Sequence, residues 1–336
     1  MRNLITDVPG LKVGNADDAK LASGVSVVVF DQPAAAGIAT PGGAPALRDT
    51  ALLAPEMTVE RIDAIVLSGG SVYGLDAAGG AIAWLNEHGR GFAVGSARAP
   101  IVPGAALFDL DNGGDKNWGR PAPYGELAYA AAARADFDFA LGTAGAGYGA
   151  TTCGLKGGLG SASALTSQGY VVGALAAVNS VGRATRGEAP YFWAAPYERD
   201  GEFGGLGEGG ALPPAALELA LKRANPGATT PAVVATDAPL DKAMATRLAV
   251  MASAGFALAL RPAHAPLDGD VVFAASTARA GRAPDLVDLT EIGMLAADCL
   301  ARAIARGVYE ATALPFSGAK LSWRQRYGAA PAPPDA

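Results

Sequence analysis

Short apolar runs alternate with stretches of helical periodicity along most of the chain. The runs are rich in Val, Ile, Phe or Ala and are bounded by Gly, Pro or Asp, a pattern that predicts strands. Six strands are predicted: Val25–Phe30, Ile62–Leu67, Phe137–Leu141, Tyr170–Val178, Ala232–Thr236 and Val271–Ala275. Five helices are predicted: Leu75–Glu87, Gly125–Ala135, Pro214–Arg223, Asp241–Ala254 and Thr290–Arg306. For the fourth helix, Asp241 is the start signal and Gly255 the stop signal. This alternation indicates an α/β fold.

Three segments interrupt the alternation. Ala99–Pro123 is rich in Gly, Pro and Asp, and Gly182–Gly210 carries charges, aromatic residues and a glycine-rich run. The Pro/Ala-rich end, Gly328–Ala336, is predicted to be a disordered tail. No internal repeat of fixed period is present. We therefore expect a single domain over residues 1–336.

Composition and charge narrow the classes of function. Of the 336 residues, 50% are hydrophobic, the net charge is −6 and the isoelectric point is near 5.0. No basic stripe interleaved with aromatic residues is present, so no nucleic-acid partner is expected. The N-terminus lacks the apolar run of a signal peptide, and no run of about 18 apolar residues marks a membrane span. We therefore expect a cytoplasmic protein that does not contact a membrane.

Histidine and cysteine are scarce. The chain contains only His88 and His264, so a histidine-rich metal site is excluded, and neither a metal nor a cofactor is predicted. His88 lies at the end of a predicted helix, where a histidine is favourable to the helix dipole. His264 precedes an acidic pair and is predicted to brace that loop. Cys153 and Cys299 are too few for a disulfide framework.

Two glycine-rich segments carry candidate chemistry. Gly145-Ala-Gly147-Tyr148-Gly-Ala formally matches a dinucleotide-binding pattern, but it precedes a poor helix and lacks the acidic ribose partner. The second segment, 154–160, is predicted to be a backbone loop around Lys156. A lone lysine is usually a solvated charge, but the flanking glycines also allow its ammonium to point at a ligand. Both interpretations of Lys156 stay open.

Thr229 lies in a polar stretch just before a predicted strand. It is either part of a loop that enters the strand or the site of a self-cleavage that exposes the threonine as a new N-terminus. A free α-amine has a pKa of about 7.7–8, close to that of a useful general base, and threonine with its own amine is a recognised nucleophile–base pair. This chemistry suits a chain with few histidines.

Asp268-Gly269-Asp270 directly precedes the predicted strand Val271–Ala275. Two carboxylates around a glycine fit an ordinary turn, and they also fit a pair that orients a nucleophile and balances its ammonium. A Ca²⁺ or Mg²⁺ site would need further oxygen ligands at loop spacing, which the sequence lacks.

Taken in order, these motifs resemble the self-processing aminopeptidase family that includes L-aminopeptidase/D-esterases, β-peptidyl aminopeptidases and nylon-oligomer hydrolases. The matching segments run through most of the chain: 5–14, 67–76, 145–147, 154–158, 177–182, 228–230 and 268–270. The resemblance implies a four-layer αββα sandwich like that of the N-terminal-nucleophile hydrolases. It also implies cleavage into an α chain, 1–228, and a β chain, 229–336, which stay associated and assemble into a homotetramer of processed pairs.

Residue by residue, the resemblance makes Thr229 the nucleophile and the Ala228–Thr229 bond the cleavage site. Four further residues match the acidic pair and the polar lining of the active site: Asp268, Asp270, Lys156 and Asn179. We place the substrate pocket at four positions: Phe108, Tyr148, Gly145 and Gly147. The mechanism implied is an acyl-enzyme on the threonine, with no cofactor.

Threonine at the cleavage point and the Asp-Gly-Asp pair are most similar to the nylon-oligomer hydrolases. Ala228 stands where those enzymes have Asn, Pro231 follows the threonine pair closely, and Phe108 replaces an active-site Tyr. Expected substrates are small peptides, amino-amides, ω-amino-acid oligomers and esters. Two alternatives stay open. One is an uncleaved binding or scaffold protein on the same fold, and the other is a hydrolase that pairs Lys156 with Ser161 or Ser163 without processing.

Overall fold

The computed structural model describes residues 1–222 and 227–328, so the predicted tail beyond Gly328 lies outside the described residues. The strands are β1 (Leu11–Asp18), β2 (Ser23–Ala39), β3 (Ala46–Arg48), β4 (Ile62–Ser68), β5 (Phe92–Val94), β6 (Ala97–Ala99), β7 (Gly104–Ala106), β8 (Gly158–Leu165), β9 (Val171–Val178), β10 (Pro231–Thr236) and β11 (Val271–Ser276). The α-helices are α1 (Ala77–Glu87), α2 (Tyr124–Ala133), α3 (Lys242–Ala252), α4 (Ala254–Ala259), α5 (Leu286–Tyr309) and α6 (Trp323–Tyr327).

The long strand β2 belongs to two sheets. Its first part pairs with β1 and β4, and its last part pairs with β11, with a break in register between Val29 and Ala34. The strand order is β3-β7-β4-β2-β11-β10-β9-β8, with β1 also on β2, and β5 and β6 form a separate hairpin. The irregularity, which includes Pro33, is the kind of position at which a strand bends from one sheet into another.

Three buried clusters fill the spaces between four layers. Because side chains alternate between the two faces of β2, Val27 packs toward α1 and α2, and Phe30 packs into the space between the two sheets. Alternation along β9 sends Leu175 into that same space, and sends Val172 toward α3, α4 and α5. Helices therefore cover the outer face of each sheet, and the predicted αββα sandwich is confirmed.

Five predicted strands and four predicted helices are present, with boundaries shifted by a few residues, except that β2 continues to Ala39, nine residues beyond the predicted end at Phe30. Asp241 caps α3 as predicted, because its side chain accepts the Met244 N–H at 2.8 Å. The prediction that Gly255 ends this helical region is wrong, because α4 continues through it. A Cβ at Gly255 would lie 2.4 Å from the Ala297 carbonyl oxygen, so this glycine lets α4 pack closely on α5.

The predicted strand Phe137–Leu141 is wrong. The segment makes only isolated bridges at its two ends, from Asp136 to Val13 of β1 and from Gly142 to Leu159 of β8. It therefore crosses from one sheet to the other, and neither sheet offers it a continuous partner strand. Its alternating Phe and Asp residues have the period of a strand, but the segment has no neighbouring strand among the described residues with which to pair.

The predicted helix Pro214–Arg223 is also wrong over its described part. Only the 3-10 turn Pro214–Leu217 forms, and Glu218 is extended; Arg223 lies outside the described residues. Leu217, Leu219 and Leu221 are exposed, so this segment lacks the layer against which an amphipathic helix would pack.

Six strands were not predicted: β1, β8 and the three-residue strands β3, β5, β6 and β7. β1 is rich in Gly, Asn and Asp and has one β-branched residue, Val13, and β8 consists of Gly, Ser, Ala and Leu, so neither has the composition typical of strands. Residues 158–160, predicted to be loop, belong to β8. A Cβ at Gly160 would lie 1.9 Å from the Ala303 carbonyl oxygen, so the small residues of β8 serve close contact with α5.

Candidate active site

Three strand ends of the second sheet converge at one edge. The antiparallel strand β9 ends where β10 begins, and the parallel strands β10 and β11 begin together. Thr229 precedes β10, and its N–H donates to the Asn179 carbonyl oxygen at 2.9 Å. Ala228 forms a parallel bridge with Asp268. The topology thus brings together Asn179, Thr229 and the segment Asp268–Asp270 from three distant parts of the chain.

The carbonyl oxygen of Ala228 accepts two hydrogen bonds. The Thr229 hydroxyl donates to it at 2.6 Å, and the Gly269 N–H donates to it at 2.9 Å. A Cβ at Gly269 would lie 2.3 Å from Thr229 Oγ1, so only glycine leaves room for the hydroxyl. The arrangement holds the buried hydroxyl against the preceding peptide bond and polarises that bond's carbonyl group. The sequence prediction did not identify the Gly269 N–H.

Asp270 is a buried acceptor that organises the loop. Its Oδ1 accepts the Thr230 N–H at 3.1 Å, and its Oδ2 accepts the His264 N–H at 3.1 Å. The same Oδ2 lies 3.0 Å from His264 Nδ1. His264 therefore braces this loop, as its position predicted.

Asp268 is the less satisfied carboxylate of the pair. Its Oδ1 accepts the Gly269 N–H at 3.1 Å, whereas its buried Oδ2 has no hydrogen-bond partner among the described residues. Burial, and next the adjacent Asp270 carboxylate, raises the pKa of Asp268 to about 8. At neutral pH the Asp268 carboxyl group of the uncleaved chain is therefore largely protonated, as expected for a carboxyl group buried away from water beside another carboxylate.

We expect this proton to make the stability of the uncleaved chain depend on pH. Because the folded-state pKa of Asp268 lies above its ordinary value near 4, the stability from its protonated form is complete below about pH 4 and is lost as the pH rises toward 8. In the uncleaved Thr229→Ala protein, the free energy of unfolding should fall by up to about 1.4 kcal/mol per pH unit over this range. Adding Asp268→Asn should remove that fall. Urea unfolding between about pH 5 and 7 measures the free energy of unfolding. Equal slopes in the two proteins would contradict the assignment.

Both the nitrogen and the oxygen of the Asn179 side-chain amide make hydrogen bonds. Its Nδ2 donates to the Phe108 carbonyl oxygen at 2.9 Å, and its Oδ1 accepts from the Thr151 N–H at 3.0 Å and from Lys222 Nζ at 2.8 Å. Burial lowers the pKa of Lys222 to about 8, although Asp111 and then Asp109 oppose the shift. Lys222 was not predicted as a site residue. Nothing in its local sequence distinguishes it from a lysine on a helix surface.

Lys156 is buried rather than solvated. Its Nζ donates to the carbonyl oxygens of Gly147 and Gly157 at 3.1 and 2.9 Å. Burial lowers the pKa of Lys156 to about 7, with Asp109 opposing the shift and Lys222 adding to it. The interpretation of this lysine as a solvated charge is therefore wrong. Its hydrogen bonds are to the two glycine-rich segments, and none joins it to Thr229 among the described residues.

A cavity of about 160 Å³ opens beside Thr229. Its lining consists mainly of small or apolar residues: Ala44, Ala46, Ser71, Ala106, Phe108, Gly227, Ala228, Thr229 and Leu267. Phe108, one of the predicted pocket residues, is among them. The other predicted pocket residues, Gly145, Gly147 and Tyr148, do not line this cavity, and neither does Asp268 or Asp270. Gly145 instead packs against Asn15 and Ser26, and Gly147 packs against Leu159.

The structure does not assemble the alternative serine–lysine pair. Ser161 is buried in β8, where its hydroxyl donates to the Ala174 carbonyl oxygen at 2.7 Å and accepts the Ile5 N–H at 2.7 Å. The Ser163 hydroxyl donates to Asp7 Oδ2 at 2.7 Å. Both hydroxyls are engaged in holding the N-terminal segment on β8, and Lys156 is bonded elsewhere.

Two further kinds of feature are absent from residues 1–222 and 227–328. No group of three or more His, Cys, Asp or Glu side chains in these ranges is placed to hold a metal ion. No helix in the same ranges is long and apolar enough to cross a membrane. The longest, α5, has 24 residues and carries Asp, Glu and Arg along its length.

Comparison with known proteins gives consistent matches over nearly the whole chain. The profile of Peptidase family S58 matches residues 3–320. An uncharacterized aminopeptidase of Mycobacterium bovis is 42% identical over 337 aligned positions, which cover 92% of this chain and 94% of that protein. An uncharacterized aminopeptidase of Mycobacterium leprae is 39% identical over 333 positions, covering 90% of this chain and 89% of that protein.

Solved structures show the same fold at lower identity. A β-aminopeptidase of Burkholderia sp. superposes with a TM-score of 0.73 at 20% identity, covering 98% of this chain and 92% of its own. The L-aminopeptidase D-Ala-esterase/amidase of Ochrobactrum anthropi superposes with a TM-score of 0.72 at 19% identity, covering 98% and 95%. The latter is described as a variant of the Ntn-hydrolase fold, and the predicted N-terminal-nucleophile-hydrolase-like architecture is thereby confirmed.

Proposed function

Because this chain belongs to peptidase family S58 and is a hydrolase of peptide or amide bonds, we propose that it cleaves itself before Thr229 and then uses that threonine as an N-terminal nucleophile. One observation carries the proposal. The Thr229 hydroxyl and the Gly269 N–H both donate to the carbonyl oxygen of Ala228, at 2.6 and 2.9 Å. A nucleophile and an oxyanion donor therefore already lie on the peptide bond to be broken.

Self-cleavage begins when Thr229 Oγ1 attacks the Ala228 carbonyl carbon and its proton passes to a base. The Gly269 N–H stabilises the carbonyl oxygen as it becomes negative. The C–N bond then breaks and the nitrogen takes up a proton, which leaves Ala228 esterified to Thr229 Oγ1. Water hydrolyses this ester to an Ala228 carboxylate and a free hydroxyl. The product is a chain that begins with Thr229 and carries a free α-amine.

Lys156 is our candidate for the base in self-cleavage. With a pKa of about 7, its amine is largely neutral at slightly alkaline pH, as a general base must be. A water molecule has to relay the proton, because Lys156 Nζ is bonded to Gly147 and Gly157 rather than to the threonine. In turnover the same lysine is, with Asn179, a candidate donor to the substrate oxyanion.

Substrate turnover uses the new α-amine as base. The nitrogen of Thr229 already lies 2.9 Å from the Asn179 carbonyl oxygen, which can hold the amine in place once it is free. The amine, directly or through water, takes the hydroxyl proton as the oxygen attacks the substrate carbonyl carbon. The leaving amine departs with a proton, and water then hydrolyses the acyl-threonine. The positive charge of the new ammonium favours the ionised form of Asp268, so Asp268 and Asp270 together hold the threonine and stabilise its ammonium form.

The cavity beside Thr229 favours substrates with a small acyl group. Its volume is about 160 Å³, and Ala44, Ala46 and Ala106 form much of its wall. We propose short peptides and amino-amides with a small, uncharged residue on the acyl side, with ω-amino-acid oligomers and esters as further candidates. The homotetramer of processed pairs and the cytoplasmic location stay predictions.

Intact-mass analysis and N-terminal sequencing of the purified protein test the proposal. We expect two fragments, with the smaller one beginning at Thr229. Hydrolysis is assayed with p-nitroanilides of glycine, alanine, phenylalanine and β-alanine and with the linear dimer of 6-aminohexanoate. Small acyl groups should be preferred. A single uncut chain that hydrolyses the panel would contradict the self-cleavage scheme, and an uncut, inactive chain would favour a binding role.

A further inference from the structure

A second and larger cavity, of about 800 Å³, lies between the segment 213–222 and the loop 183–193. Five lining residues are cationic: Arg183, Arg186, Lys222, Arg261 and Lys320. Only two are acidic: Glu188 and Glu218. The chain as a whole has a net charge of −6, so the cavity reverses the sign of the charge locally. Such a concentration of one sign in a concave site attracts ligands of the opposite sign.

Internal ion pairs neutralise only part of this charge. Glu188 is shared by Arg183 and Arg326, and Arg186 pairs with Glu208 at 2.7 Å. Three lining cations have no carboxylate partner among the described residues: Lys222, Arg261 and Lys320. Lys222 donates to two neutral oxygens, the Thr151 carbonyl and the Asn179 amide oxygen, and Arg261 donates to the Leu217 carbonyl oxygen. The lining therefore keeps unbalanced positive charge.

The same lining holds N–H donors that have no acceptor. The Trp193 ring has two guanidinium groups near it, those of Arg186 and Arg261, each 5.8 Å from the ring centroid. Its indole Nε1 is buried and unpartnered among the described residues, as are the Nε atoms of Arg183 and Arg186. Buried donors normally find an acceptor, so three unsatisfied donors in side chains that line one cationic cavity show that its wall has more donors than acceptors.

We propose that this cavity binds a small anionic ligand through an oxyanion group, either a phosphate or a carboxylate. Guanidinium groups bind both kinds of oxyanion in bidentate geometry. The volume is within the range of sites that bind small molecules. The lining shares no residue with the cavity beside Thr229, so the ligand is bound next to the proposed active site rather than within it. The hydrogen bond from Lys222 to Asn179 connects this cavity to the proposed active site.

Calorimetric titration of the full chain with inorganic phosphate and with succinate, at low ionic strength, tests the site. At least one probe should bind with one-to-one stoichiometry. The double variant Arg261→Gln/Lys320→Gln should weaken that binding about a hundredfold, or roughly tenfold for each lost charge-assisted hydrogen bond. Both side chains are exposed, so the substitutions leave the core intact.

The matched control is Lys20→Gln/Arg324→Gln, which removes the same charge from exposed positions outside the cavity. Its affinity for the probe should stay within about twofold of the wild-type value. Tighter binding of phosphate assigns a phosphorylated ligand, and tighter binding of succinate assigns a carboxylate. Binding of neither probe, or equal weakening in both double variants, overturns the proposal. The Thr229→Ala protein should bind the probe as the wild type does, so the result is independent of self-cleavage.

Discussion

Thr229→Ala should leave the protein as a single 336-residue chain that hydrolyses none of the amide panel. The alanine lacks the hydroxyl that, in the proposed scheme, attacks Ala228 during self-cleavage and attacks the substrate afterwards. Loss of a catalytic nucleophile lowers kcat on the order of 10⁴-fold or more, so hydrolysis should fall to background. Intact-mass analysis measures processing, and initial rates of p-nitroaniline release measure hydrolysis.

The adjacent threonine is the matched control. The Thr230 hydroxyl is buried and has no hydrogen-bond partner among the described residues, whereas its main-chain N–H, which alanine keeps, donates to Asp270. Thr230→Ala should therefore fold, cleave itself and hydrolyse the panel. A Thr229→Ala chain that still splits between residues 228 and 229 would rule out the threonine as the agent of its own cleavage.

Gly269→Ala should slow self-cleavage on the order of 10²–10³-fold, the usual effect of losing one oxyanion donor. The new Cβ would lie 2.3 Å from Thr229 Oγ1 and 2.9 Å from the Ala44 carbonyl oxygen, so the hydroxyl and the 269 N–H cannot both stay on the Ala228 carbonyl group. The measurement is the rate at which the full-length chain disappears after synthesis, followed by intact mass. Circular dichroism verifies that the variant folds.

Gly281→Ala provides the comparison, because a Cβ at this exposed glycine meets nothing within 4 Å. This variant should process at the wild-type rate. If the folded Gly269→Ala protein also processed at that rate, the Gly269 N–H would not be the oxyanion donor for self-cleavage.

The part of the site chemistry that depends on residue type was predictable from the sequence. A threonine before a strand and an acidic pair before another strand are visible in the sequence, and the resemblance joined them to Asn179 and Lys156. The structure then places Asn179, Thr229 and Asp268–Asp270 at one sheet edge. Gly145, Gly147 and Tyr148 are instead away from the cavity beside the threonine, because the turn they form packs against β1, β2 and β8.

The unpredicted parts of the site depend on contacts between distant segments. The Gly269 N–H meets the Ala228 carbonyl oxygen only through the pairing of the two chain segments that lead into β10 and β11. Lys222 reaches Asn179 from a segment that is not helical, whereas its spacing predicted a helix. Local sequence does not indicate which backbone N–H will act as a donor in the site. It also does not indicate where a segment with helical spacing will fail to form a helix.

The sequence by itself determined the α/β class, most of the longer elements and the residue types of the proposed nucleophile and its acidic neighbours, because periodicity and residue type are local properties. Only the tertiary structure decided which strands share an edge, which glycine N–H lies on the Ala228 carbonyl oxygen and which lysines are buried. Those outcomes depend on strand register and on desolvation. Both arise from residues far apart in the chain, and no short window of sequence contains them.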